Sequence, residues 1–97
     1  MSVALTAPLL GERHHSVVTV GTTAVQLAPQ RMNRKALLIA NLGTAQVFLG
    51  PSTVAASGPN AGIPLAAGAL LVDSYSSDPW FAITASGSVP VHACEII

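Results

Sequence analysis

Lys35-Ala36-Leu37-Leu38-Ile39-Ala40-Asn41-Leu42-Gly43-Thr44-Ala45-Gln46-Val47-Phe48-Leu49-Gly50 is the stretch that decides the fold. Its first part is an apolar run bounded by a charge at Lys35 and a turn at the far end. Asn41, Leu42, Gly43 and Thr44 supply the turn, because Asn and Gly tolerate the backbone angles that tight turns demand. Ala45 to Gly50 is the return run. Two short β-rich runs joined by a glycine-containing loop predict a β-hairpin.

Outward from this stretch the pattern stays β. Ser16-Val17-Val18-Thr19-Val20 is short and β-branched, and Thr23-Ala24-Val25-Gln26-Leu27 alternates up to Pro29. On the other side, residues 51–62 crowd Ser, Pro, Gly and Asn together, which predicts an excursion loop holding Thr53-Val54-Ala55 as a short strand. Residues 62–68 predict a corner, Ala69 to Asp73 a strand, Ser74 to Pro79 a polar loop, and Trp80 to Ala85 another strand. Ser86-Gly87-Ser88 turns into a last run from Val89 to Ile96. Pro or Gly falls within every window that could hold a helix, so none longer than one turn is expected. About seven or eight strands at about 8–12-residue spacing predict an all-β fold, a small antiparallel β-sandwich or jelly roll.

Residues 1–14 read as an extended N-terminal arm and 15–97 as the β domain. The arm fails as a signal peptide: no basic residue precedes its apolar part, Pro8 and Gly11 interrupt it, and the first cation is Arg13. Val3, Leu5, Leu9 and Leu10 give it apolar contacts to offer, along the domain or to a neighbouring subunit.

Composition narrows the function. Of 97 residues, 8 % are charged, against about 25 % in an ordinary soluble domain. Four Lys/Arg balance four Asp/Glu, leaving no net field for nucleic acid or an anionic membrane. No apolar run reaches the roughly 18 residues that span a bilayer. A single cysteine makes no internal disulfide. Hydrophobic residues are 51 % of the chain but aromatics only 4 %, so the greasiness is aliphatic. A small domain buries only about 60 % of its unfolded surface. So apolar a chain is therefore expected to cover its surface with neighbours, as part of an assembly.

The chemical candidates weigh against bland readings. His14-His15 lacks further metal ligands nearby in sequence and reads as an exposed junction between arm and domain. His92 and Cys94 share one strand face, with Glu95 on the other, but neither an orienting group nor an oxyanion site accompanies them. Cys94 reads as a small buried hydrophobe. Asp73 and Asp78 flank Ser74-Tyr75-Ser76-Ser77; as paired carboxylates they could serve hydrolysis, and as turn residues they need no further role. No enzyme is expected. Tyr75 and Trp80 bracket the same loop as candidate interface anchors, with closure of the core as the alternative for Trp80. Arg31, Arg34 and Lys35 gather three of the four cations, either as a basic rim facing an acidic partner or as a solvated strand end.

At this point the sequence resembles a known module. Arg34-Lys35 through Asn41-Leu42-Gly43, then Val47-Phe48-Leu49-Gly50, Pro64-Leu65-Ala66-Ala67-Gly68 and the Ser86-Gly87-Ser88 close are similar to a small β-sandwich module of tailed-bacteriophage virion proteins, over about residues 17–96. The resemblance implies a head decoration (cement) or accessory structural protein, without cofactors. It implies the major capsid protein and further copies of the chain as partners, a trimer before a dimer. The implied location is the capsid surface of the virion, after assembly in the host cytoplasm. A receptor- or carbohydrate-binding module of a fibre or tail is the alternative, with Tyr75 and Trp80 as a stacking platform.

Overall fold

The computed structural model describes residues 12–97, and all regular structure among them is β. Eight strands follow in chain order: β1 Arg13–Val20, β2 Val25–Ala28, β3 Ala36–Asn41, β4 Val47–Gly50, β5 Ile63–Leu65, β6 Leu70–Asp73, β7 Trp80–Ile83 and β8 Val89–Ile96. Leu5, Leu9 and Leu10 lie outside the described residues. The last residues assigned to the arm belong instead to the sheet. Glu12 exchanges two backbone hydrogen bonds with Ile97, and Arg13 and His14 open β1 opposite Ile96 and Glu95.

Each strand of the first half pairs with one of the second: β1 with β8, β2 with β7, β3 with β6 and β4 with β5, all antiparallel. The chain is thus one long doubled ribbon. Rolling the ribbon adds β3 to β8 and β4 to β7. Two four-stranded sheets result, ordered β1-β8-β3-β6 and β2-β7-β4-β5. This wrapping is a jelly roll.

The rolled topology corrects the hairpin expected at Lys35–Gly50. Both runs are strands and a turn joins them, but β3 lies in one sheet and β4 in the other. The reason is on the inward faces. Leu37, Ile39, Val47 and Leu49 are all fully buried, and a corner lets the first two face the last two across the core. Asn41 makes the corner: its Nδ2 donates to Ala45 O (2.8 Å) and Leu65 O (3.0 Å), and its Oδ1 accepts from Gly43 N–H (2.9 Å). The Ser86-Gly87-Ser88 turn likewise passes from β7 to a β8 in the opposite sheet, with Gly87 at φ 73°. Conversely, the strands on either side of the excursion loop, β4 and β5, do pair. Inside that loop Thr53-Val54-Ala55 is no strand; Val54 is buried and Ala55 makes a single bridge to Ala61.

Between the sheets lie Val20, Leu27, Leu37, Ile39, Val47, Leu49, Leu65, Ala82, Val89, Val91 and Ala93. Each fully buried Val, Leu or Ile contributes about 1.5–3 kcal/mol of transfer free energy. No aromatic ring is among them, though Trp80, partly buried, packs against them.

Candidate functional site

Arg34 is not part of a basic rim. Its side chain is fully buried and aims at Glu95, which β8 presents inward. Nη1 donates to Glu95 Oε2 (3.3 Å) and Pro29 O (3.0 Å); Nη2 donates to Asp78 O (2.6 Å) and Ser76 O (3.3 Å). Arg31, 40 % exposed, adds Nε to Glu95 Oε2 at 3.2 Å. An unpaired buried carboxylate would cost several kcal/mol, so Glu95 recruits both arginines. They fasten the segment before β3 to the 74–79 loop. Only Lys35 of the three cations is exposed in the way a rim requires.

Asp73 and Asp78 do not converge. Asp73 Oδ1 accepts from Tyr75 N–H (2.9 Å) and Ser76 N–H (3.2 Å); Oδ2 accepts from Ser76 Oγ (2.7 Å) and Trp80 Nε1 (2.9 Å). Burial alone would raise the carboxyl's pKa, but these four donors overcome it and lower it from 3.8 to about 2. Asp73 is therefore a turn organiser. Trp80 packs its ring against the core and ties its indole N–H to Asp73, so it closes the sandwich between the sheets. It also lines a cleft of about 350 Å³ with Leu49, Ile63, Asn60 and Pro79. Tyr75 points away, 94 % exposed.

The surface most unlike an ordinary one is the outer face of the β1-β8-β3-β6 sheet. Register fixes its rows. His15, Cys94, Leu38 and Val72 stand side by side across the four strands, and Val17, His92, Ala40 and Leu70 form the next row. Val17, Leu70 and Val72 are 58, 58 and 54 % exposed. Ala36, Leu38, Ala40 and Ile96 are half-buried. The only charged side chain among these positions is Arg13, at one end. The face is thus largely apolar over four strands, with Arg13 at one end and His15 and His92 as polar interruptions. Exposed apolar area on this scale is unusual for a surface that meets only water.

The sequence held a signal for this face. Leu37-Leu38-Ile39-Ala40 and Leu70-Leu71-Val72 do not alternate with polar residues, and a strand without alternation is apolar on both sides. Register also separates His14 from His15. His14 turns to the inward side, where Nε2 lies 3.3 Å from Glu12 Oε1, while His15 meets His92 on the outer face. His92 and Cys94 do share that face; Cys94 is buried in it, as expected of a small hydrophobe.

Among the described residues no helix is long and apolar enough to cross a membrane, and no cluster of three or more metal-ligating side chains is assembled. No family model, no curated protein and no solved structure matches the chain, so the role of this surface rests on its own chemistry.

Proposed function

We propose that the protein is a structural virion component, a capsid decoration (cement) protein that binds the outside of a bacteriophage head and stabilises the shell. The observation that carries this reading is the largely apolar outer face of the β1-β8-β3-β6 sheet, with Val17, Leu70 and Val72 more than half exposed. A cement protein needs contact area rather than reactive groups, and a standard interface covers about 800 Å² per partner. The low charge of the whole chain and the resemblance to phage virion modules support the same reading. The jelly-roll fold alone would not, because one fold hosts many functions. The partners are the major capsid protein and other copies of the chain, a trimer suiting the three-fold positions of a capsid lattice. Repetition over the lattice turns modest affinity into firm attachment.

Light scattering after size exclusion, with co-sedimentation on undecorated capsids, tests this. An oligomer that pellets with capsids supports the proposal; a clean monomer at micromolar concentration with no affinity for capsids sinks it.

One observation favours a second reading, a carbohydrate- or receptor-binding module. Tyr75 is 94 % exposed, and Trp80 with Asn60 and Asp78 lines a separate cleft. Trp80 is half-buried and packed against the core, so Tyr75 is the more exposed of the two rings. Glycan-array binding lost in Tyr75→Ala, with the oligomer intact, would favour this reading over cement.

A further inference from the structure

The fold joins two side chains that the sequence keeps 77 positions apart. His15 Nδ1 on β1 and His92 Nε2 on β8 stand 3.3 Å apart, their ring centroids 5.3 Å apart and their planes inclined by 51°. We propose that this pair is a binding site for a divalent transition-metal ion of the zinc class, and that the ion clamps β1 to β8.

The separation is the first ground. Two imidazole nitrogens each about 2.0–2.1 Å from a tetrahedral zinc ion stand about 3.3–3.4 Å from one another. The two rings therefore already hold the spacing that a shared ion requires. Each imidazole can carry its hydrogen on either ring nitrogen. Binding asks that both rings carry their hydrogen on the outer nitrogen, which frees the two facing lone pairs to converge on one ion. Imidazole nitrogens suit zinc, nickel and copper, whereas calcium and magnesium prefer oxygen.

The second ground is the register. His15 lies opposite Cys94 and His92 opposite Val17, so the two rings meet diagonally on one face of a fixed antiparallel ladder. The backbone holds the two Cα positions in a fixed diagonal relation, within which the rings reach each other. Cys94 is the next soft donor on this face, though covered. Glu12 is engaged by His14 on the inward side. The protein supplies two ligands and water fills the remaining positions.

The third ground is what a clamp would hold. Arg13 to Val17 are exposed on both faces of the sheet, and β1 enters the core only at its far end, with Val18 and Val20. This overhang is an edge strand kept in place by its ladder to β8 alone. A metal ion joining His15 to His92 ties it down near the middle.

The experiment is a zinc chloride titration of the intact protein, read by competition with a chelating indicator and by hydrogen exchange. Saturable binding of one ion per chain is expected, with slower amide exchange across Arg13–Val17. Affinity should fall at least tenfold in His15→Ala and in His92→Ala, and stay unchanged in His14→Ala. Both rings are at the surface, so these variants should keep the parent circular dichroism; if either does not, the Gln variant replaces it. Absence of saturable binding overturns the site, as does a loss in His14→Ala equal to that in His15→Ala. The outcome is independent of any affinity for capsids.

Discussion

Arg34 and Glu95, 61 positions apart, meet inside the protein with Nη1 3.3 Å from Oε2. Nη1 and Nη2 also donate to the carbonyls of Pro29, Ser76 and Asp78, while Nε is left buried without an acceptor. One side chain thus joins β8 to two loops, beside the backbone bonds Arg31 N–H to Ser77 O (3.0 Å) and Lys35 N–H to Ile96 O (2.6 Å). Removing Glu95 leaves the Arg34 guanidinium buried without a carboxylate, whereas removing Arg34 leaves Glu95 with Arg31 alone. Glu95→Ala should lower stability by about 3–5 kcal/mol in urea denaturation, and Arg34→Ala by less. The double variant Arg34→Met, Glu95→Leu should recover part of the loss, since no charge is then stranded. It should not recover all, because the three carbonyls still lack a donor. Additive losses in the double variant would contradict the pairing.

Asp73 makes stability depend on acid. Its carboxyl titrates near 3.8 when unfolded and about 2 when folded. The stabilisation is therefore complete above about pH 4 and is lost as pH falls toward 2; it amounts to about 2 kcal/mol at neutral pH. Denaturation midpoints at pH 7 and pH 2.5 should differ by less in Asp73→Asn than in the parent. An unchanged difference would show that other carboxylates carry it.

Gly62 tests the packing of the excursion loop. A Cβ there would stand 2.5 Å from both Leu49 O and Val54 Cγ2, and 2.8 Å from Leu49 N. Two of these atoms are backbone of β4 and cannot step aside, so Gly62→Ala should cost about 1–3 kcal/mol. Gly21→Ala, whose nearest neighbour would be Gly87 O at 4.0 Å, should cost within about 0.5 kcal/mol.

Much of the fold is legible in the residues themselves. Strands and turns follow from β-branched runs and from Asn41, Gly43 and Gly87. Partner choice does not: a turn signal states that the chain reverses, and the same Asn41-to-Thr44 turn serves a hairpin or a corner between sheets. Only the burial of Leu37 and Ile39 against Val47 and Leu49 separates the two. The cation cluster misleads for a similar reason. Arg34 and Glu95 are distant in sequence, and nothing local says that one neutralises the other. His15 and His92 become neighbours through the pairing of β1 with β8, the most non-local pairing in the roll.

The outer sheet face should decide assembly without deciding folding. Val72→Lys and Leu70→Lys place charge among side chains more than half exposed, so stability should change by about 0.5 kcal/mol or less. Self-association measured by light scattering, and capsid co-sedimentation, should fall sharply in both. Unaltered assembly in the Val72→Lys, Leu70→Lys double variant would place the contact elsewhere on the molecule.

The pairing of Glu12 with Ile97 at the open end of β1 and β8 has a mechanical consequence. Tension entering at Glu12 and leaving through Ile97 acts across the ladder and opens its eight rungs one after another, as a zip does. Tension entering at Glu12 while the sheet face is held runs along β1 and must shear all eight at once. The same strand is thus weak against being peeled and strong against being drawn, and the direction of pull sets which.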